Sequence, residues 1–515
     1  MYLTQPLHRA LQQKPDSLAA IDGSGRWTFR EHVGRIARLA GALRGLGVKP
    51  GDRVAMYAAN SGRYLEYLMA VPWADAVLVP VNTRWSIAEI GDSLIDAGAE
   101  ILLVDETYAH AVAALREHCP LLRHVIYCGK GGDAGWIDYE GLIEGAEPVA
   151  DARRGGDALA ALFYTGGTTG RSKGVMLSHA NLMTSALGCA AAGFWATPGG
   201  RYLHSAPMFH LADLCLWAAH SLVGSTHVIV PGFEAGRVLG TIEEHAVTDV
   251  FLVPTMIQML IDHPDFARRD LSSVRRLCYG ASPISPEVLD RTLKLLPGAE
   301  LAQAYGMTEL SPVATLLGPE EHRAATPRRY SAGRAAPHSE VRVVDPAGED
   351  VAPGEVGEIV SRGGHVMLGY WNQPDATAAA IRDGWMHTGD AGYLDEDGYL
   401  FVVDRIKDMV ISGGENVYSA EVEKVISRLP AVASCAVIGV PDDIYGERVH
   451  AVIVPRPGRS LTLEELREYV KGRIAGYKAP RSMELVAELP VSGAGKILKR
   501  ELRERHVATR PAKPG

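Results

Sequence analysis

Apolar residues recur along the chain with a helical period in some stretches and in short unbroken or alternating runs in others. In EHVGRIARLAGALRGLG, residues 31–47, they gather on one side of a helical wheel, which predicts an amphipathic helix. DRVAMYAAN then reads as a strand, YLEYLMAVPWADA as a helix and AVLVPVN as a second strand. Such alternation predicts a layered α/β fold. The pattern resumes after residue 200 with the strand HVIVP, the helix AGRVLGTIEEHAV, the strand TDVFLVP and the helix TMIQMLIDHP, a second α/β unit. From about residue 340 the texture changes to short alternating strands between turns, as in EVRVVDPAGEDVAPGEVGEIVSRG, which predicts a β-rich subdomain. Beyond DRIKD at 404–408, the runs AEVEKVISRL, VASCAVIGVPD, ERVHAVIVPR and TLEELREYVKGRIAG predict a small α+β domain.

Length and composition change this picture little. A chain of 515 residues is expected to hold about three structural units. Its 55 glycines and 30 prolines imply many tight loops. A net charge of −9 offers no general attraction to nucleic acid, which is set aside as a partner. The six cysteines stand singly, without metal-ligand spacing, as reduced thiols of a cytoplasmic protein would. The first residues lack the pattern of a signal peptide. The most apolar stretch, 211–231, is interrupted by Asp213, His220 and His227, so a buried helix followed by a strand is expected there and no integral membrane segment.

Four strings carry candidate chemistry. YTGGTTGRSKG, residues 164–174, opens from an apolar strand into glycines, hydroxyls and a cation, a set suited to a polyphosphate, yet it lacks the spacing of the common nucleoside-triphosphate loop. QAYGMTE, 303–309, joins an aromatic face at Tyr305, a hydroxyl at Thr308 and a carboxylate at Glu309. Those types can stack on a purine, hold a phosphate and ligate Mg²⁺ through oxygen, or equally end a strand and start a helix. In the stretch 384–417, Asp390 can accept from ribose hydroxyls, while Arg405 reads either as a partner of nucleotide or as half of a surface ion pair with Asp404. Near the end, Lys496 in PVSGAGKILKRELRE is either a solvated lysine or an ammonium that reaches developing charge.

In their order and spacing, YTGGTTGRSKGVMLSH, YGMTE, WMHTGD, DRIKDMVISGGENVYSAEVE and the final GK resemble the signature motifs of the acyl-adenylate-forming superfamily, which includes acyl-CoA synthetases. The resemblance covers residues 5 to 505 and implies an N-terminal adenylation domain over 1–404, a hinge at 405–408 and a mobile C-terminal lid over 409–515. It implies ATP, Mg²⁺ and coenzyme A as cofactors and co-substrates, with a carboxylic acid as small-molecule partner and a homodimer as the candidate assembly. By the same resemblance, Thr165, Gly166, Gly167, Thr168, Thr169 and Lys173 hold the departing phosphates and Glu309 the Mg²⁺. Thr308 contacts the α-phosphate. Gly280, Ala281 and Ser282 flank adenine with Tyr305, Asp390 and Arg405 take the ribose, and Lys496 offsets transition-state charge. Lys407 takes the hinge position, and Gly413, Gly414 and Glu415 border the pantetheine tunnel. The chain departs from the pattern at Gly166, where a serine is usual, and at Ser492 and Ala494, where threonine and serine are usual.

APMFHLADL, 206–214, lies where this superfamily forms its acyl pocket. Relatives that activate amino acids carry an aspartate for the ammonium where this chain has His210, which argues against amino acids and makes His210 a candidate catalytic residue or a hydrogen-bonded core residue. Gly280, Ala281 and Ala304 leave room for an apolar tail or ring, with Leu214, Met307 and Pro312 as expected walls. The expected activity is an AMP-forming acid:CoA ligase acting on a medium- or long-chain fatty acid or an aryl acid. The alternatives are an acyl-AMP ligase that loads a carrier protein and a non-catalytic acyl- or nucleotide-binding sensor.

Overall fold

The computed structural model describes residues 1–508 apart from 24, 134, 167–171, 325, 413–414, 443 and 492–496. The chain divides into two compact units, Met1–Val341 with Ser361–His387, and Arg342–Val360 with Thr388–Gly515. The 404–408 segment lies inside the second.

The first unit carries two large sheets among its described residues. One is nine-stranded, with the parallel strands Glu300–Tyr305, Arg276–Gly280, Asp249–Leu252, Arg201–His204, Thr226–Ile229 and Leu18–Asp22 side by side. The other is eight-stranded. Its strands Leu159–Thr165, Val77–Pro80, Arg53–Tyr57, Ile101–Val104 and His124–Tyr127 are parallel, and Lys173–Ser178 and Gly369–Tyr370 close one edge antiparallel. Strands buried on both faces explain why these runs read as continuous apolar stretches.

Helix Phe29–Gly45 shows how the sequence sets these elements. Thr28 Oγ1 accepts from Glu31 N at 3.2 Å while Thr28 N donates to the Glu31 carboxylate at 2.8 Å, a reciprocal cap. Ile36, Leu39 and Leu43, at helical spacing, are all 0% exposed. Some charged groups inside this unit are paired. Glu66 receives Arg35 Nε and Tyr139 Oη, each at 2.5 Å, so removal of either partner leaves buried charge under-compensated. The three residues that interrupt the apolar 211–231 stretch do not merely break it. Asp213 holds His204 Nδ1 at 2.7 Å and Tyr202 Oη at 3.0 Å, His204 Nε2 meets His227 Nδ1 at 3.0 Å, and His220 stacks on Tyr202. The segment is the buried helix Leu211–Val223 followed by the strand Thr226–Ile229. Among the described residues no helix is long and apolar enough to cross a membrane. All six cysteines are free and buried.

In the second unit, strands Trp385–Leu394 and Leu400–Arg405 pair antiparallel over Asp390 to Arg405. Val432–Asp442 and Gly446–Pro455 form a long hairpin, with Ser482–Leu485 parallel to its second strand and Ser419–Ile426, Leu463–Lys471 and Lys499–Ala508 as helices. Asp404 accepts from Ser419 Oγ at 2.6 Å and from Ala420 N at 3.1 Å, so it caps helix Ser419–Ile426 from another element.

Several buried histidines make the fold sensitive to acid. Burial pushes His179 and His322 down to about 4 and His365 to about 3, from an ordinary value of 6.5. Between those values the unfolded chain binds more protons than the folded one. Stability is therefore complete above about pH 6.5 and falls as pH drops toward 4, by up to about 1.4 kcal/mol per pH unit for each histidine. Thermal melts from pH 7.5 to pH 4.5 are expected to show a steadily falling Tm, and a Tm that stays level from pH 7 to pH 5 would contradict this account.

Candidate active site

Two adjacent parallel strands of the nine-stranded sheet end together, with Gly280 in register with Ala304. The carboxyl ends of parallel strands are where open α/β sheets take ligands. A Cβ on Gly280 would lie 2.5 Å from the Ala304 carbonyl oxygen, and one on Gly306 would lie 1.9 Å from that of Pro312, so neither position admits a side chain as the backbone stands. Ala281 takes the left-handed region at φ +66°, and Ser282 is half-buried beside it. Tyr305 closes its strand. Thr308, Glu309 and Leu310 follow as a single turn of 3₁₀ helix, in which Glu309 is 6% exposed and Thr308 half-buried. The strand thus runs into a single 3₁₀ turn with no side-chain cap, in place of the helix start that Thr308 and Glu309 could have favoured.

The phosphate-loop string forms the base of a hairpin in the other sheet. Thr165 pairs with Lys173 and Tyr164 with Gly174, with Gly166 exposed at the start of the loop. Gly167, Thr168 and Thr169 lie outside the described residues. The base is held from one side by the strand Gly369–Tyr370, where Leu368 N donates to Met176 O at 2.9 Å and Trp371 N to Gly174 O at 2.7 Å. Lys173 Nζ sits 4.7 Å from the centre of the Tyr370 ring, a cation–π contact that fixes a long, otherwise flexible stem. Tyr370 Oη donates to Glu309 Oε1 at 2.8 Å, and Met367 N donates to the Glu309 carbonyl at 2.9 Å. Burial first, then the adjoining Glu309 carboxylate, pushes the Tyr370 phenol far above its usual range, so it remains a neutral donor. The neutral phenol orients the Glu309 carboxylate without adding charge of its own. As an oxygen donor beside a fixed lysine, the carboxylate fits a Mg²⁺–phosphate group.

On the acyl side, Asn60 Nδ2 donates to Ala206 O at 2.8 Å and its Oδ1 accepts from Met208 N at 2.8 Å, which holds the turn that leads to His210. His210 precedes helix Leu211–Val223 and packs its ring 4.5 Å from that of Phe209. Leu214 is 0% exposed and belongs to the core, whereas Met307 and Pro312 are half-buried.

In the second unit, Arg405 Nε and Asp390 Oδ1 lie 2.7 Å apart across the paired strands. Thr388 Oγ1 donates to Ile359 O at 2.7 Å and accepts from Asp390 N at 3.1 Å, which sets the strand that presents Asp390. Lys407 lies in a 3₁₀ turn whose Asp408 meets Arg503 at 3.0 Å. Burial lowers the Lys407 ammonium from its usual range. Glu415 is exposed and pairs with Ser412 in a short hairpin. Gly413, Gly414 and Lys496 lie outside the described residues.

Residues 7–371 match the family described as AMP-binding enzyme, and residues 421–496 match the AMP-binding enzyme C-terminal domain. The chain belongs to the AMP-binding enzyme family. It is 42% identical over 501 residues to a feruloyl-CoA synthase of an Amycolatopsis species, covering 97% of this chain and 98% of that one. It is 37% identical over 507 residues to an indoleacetate–CoA ligase of Aromatoleum aromaticum, covering 98% of each. Among solved structures it resembles an anthranilate CoA ligase in complex with anthranoyl-AMP, with a TM-score of 0.91, 26% identity and coverage of 99% and 98%. The protein is an acid–thiol ligase of the AMP-forming type.

For an AMP-binding enzyme, the elements that orient the motif residues were less visible than the motifs. Tyr370 and Asn60 carry no sequence signal of their own, because their roles depend on partners 61 and 148 positions away. Tyr370→Phe keeps the ring under Lys173 and removes only the donor to Glu309. Loss of one hydrogen bond to a charged group is expected to raise the KM for MgATP by about tenfold with the fold retained. Pyrophosphate exchange over a range of Mg²⁺ concentrations measures this, and an unchanged MgATP dependence would show that Tyr370 only packs.

Proposed function

We propose that this ligase activates a ring-bearing hydrophobic monocarboxylic acid and transfers it to coenzyme A. The observation that carries the reading is the Lys173–Tyr370–Glu309 contact, which couples the phosphate-loop hairpin to the turn after Tyr305. A carboxylate is a poor electrophile, so its oxygen first attacks the α-phosphate of ATP, releasing pyrophosphate and leaving an acyl-AMP. Thr165, Gly166 and Lys173, with Gly167, Thr168 and Thr169, would hold the departing phosphates, and Thr308 the α-phosphate. Glu309 would hold Mg²⁺, which when bound offsets phosphate charge. Gly280, Ala281, Ser282 and Tyr305 would border adenine, and Asp390 with Arg405 the ribose. Lys496 would meet the charge that develops in the transition state.

In the second half the thiol sulfur attacks the acyl carbonyl, the acyl–phosphate bond breaks and AMP leaves. Lys407 would act as the hinge between halves, with Gly413, Gly414 and Glu415 beside the pantetheine chain. An aryl acid is favoured over a fatty acid because relatives named for feruloyl and indoleacetate are 42% and 37% identical, against 35% and 34% for relatives named for fatty acids. His210 offers no counter-charge of the kind an aspartate would give an amino acid's ammonium, and would line the ring's side of the pocket.

A pyrophosphate-release screen over short, medium and long fatty acids and over arylpropenoic and arylacetic acids is expected to give kcat/KM at least about tenfold higher for an aryl acid. A fatty acid that surpasses every aryl acid would overturn the substrate assignment. Turnover only with a phosphopantetheinylated carrier would replace coenzyme A as acceptor, and no pyrophosphate with any acid would favour a binding module. Lys496→Ala is expected to abolish adenylation and largely spare thioester formation from supplied acyl-AMP. Equal loss of both steps would remove Lys496 from the proposed role.

A further inference from the structure

We infer that the second unit contains a binding site for a divalent transition metal, Zn²⁺ foremost, formed by His450, Glu484 and His506. The register of the small domain's sheet brings the three together. His450 and Val452 point to one face of strand Gly446–Pro455, because Val449, Ala451 and Ile453 pack in the core on the other face. On the parallel neighbour Ser482–Leu485, Ser482 lies opposite His450 and Glu484 opposite Val452, hence on that same face. Helix Lys499–Ala508 covers it by inserting Leu502 beside Val452. His506 is one turn further along the same side of the helix, and its ring lies 4.4 Å from that of His450.

The donor atoms of His450, Glu484 and His506 all lie within 4.8 Å of one another. Ligands of a tetrahedral Zn²⁺ with bonds of about 2.1 Å are about 3.4 Å apart, so a small rotation of the exposed Glu484 and half-buried His506 closes the set. His450 is already placed. It is 2% exposed, its Nδ1 is held by Ser482 Oγ at 2.8 Å, and among the described residues its buried Nε2 has no hydrogen-bond partner. An imidazole anchored through one nitrogen with the other left to a metal is the usual arrangement of a ligating histidine. A bound cation would offset the cost of leaving that nitrogen without a partner. Two imidazoles and one carboxylate leave a further position for water and suit Zn²⁺ better than Mg²⁺ or Ca²⁺, which prefer oxygen. Because His506 is on the helix and the other ligands are on the sheet, the bound metal pins the helix that follows Lys496 in the sequence.

Tag-free full-length protein, stripped with a chelator, is titrated with Zn²⁺ against a chromogenic zinc indicator and separately with Co²⁺ while visible absorption is recorded. About one equivalent bound, with the visible bands of low-coordinate Co²⁺ and a Tm raised by Zn²⁺, is expected. His506→Ala and Glu484→Gln are each expected to weaken binding about tenfold or more and to abolish the Tm gain, and Ser482→Ala to weaken it about tenfold. His506→Ala alters the half-buried end of a helix, so it tests the site even where His450→Ala fails to fold. No stoichiometric binding, or binding unchanged in both His506→Ala and Glu484→Gln, would overturn the site.

Discussion

The hydrogen bond from Tyr370 to Glu309 joins three stretches that are far apart in the chain: the hairpin around 165–173, the turn after Tyr305 and the short strand Gly369–Tyr370. Each makes a poor site alone. A glycine-rich loop is conformationally permissive, a lysine stem samples many rotamers, and a buried carboxylate is costly unless it is hydrogen-bonded. Tyr370 answers all of these with one side chain. Its ring face takes the Lys173 ammonium, its hydroxyl takes the Glu309 oxygen, and its backbone extends the sheet that fixes the hairpin base. Tyr370 thereby touches both the Lys173 ammonium and the Glu309 carboxylate, two groups of opposite sign.

Much of the fold was legible because its signals are local. The capping box at Thr28 and Glu31, the helical spacing of Ile36, Leu39 and Leu43, and the apolar runs of the parallel strands all act within one element. The order of strands in the two sheets was not legible. Nothing within Leu18–Asp22 says that it lies beside Thr226–Ile229, more than two hundred residues later. The interruptions at Asp213, His220 and His227 were read correctly as arguments against a membrane span. Their positive meaning needs the register that sets Asp213 against His204 and His204 against His227.

The site followed the same division. Thr308, Glu309, Tyr305 and Lys173 were singled out because resemblance rests on contiguous strings, and they lie at strand ends and in a tight turn. Tyr370 and Asn60 were invisible because each orients a motif residue from elsewhere in the chain. Leu214, which the sequence suggested as a pocket wall, is fully buried among core residues, since helix Leu211–Val223 turns that side inward. Spacing along a string identifies residue types, whereas direction depends on which helix face meets the sheet.

The replacement of the usual serine by Gly166 is best understood against this anchoring. Losing one hydroxyl removes a hydrogen-bond donor and widens the backbone conformations open to residue 166. Were the loop the sole source of binding, both effects would weaken it. Here the lysine that ends the loop is fixed by the Tyr370 ring, and Thr165 at its start is fixed by pairing with Lys173. Both ends of the string are therefore held by contacts that do not depend on which residue stands at 166.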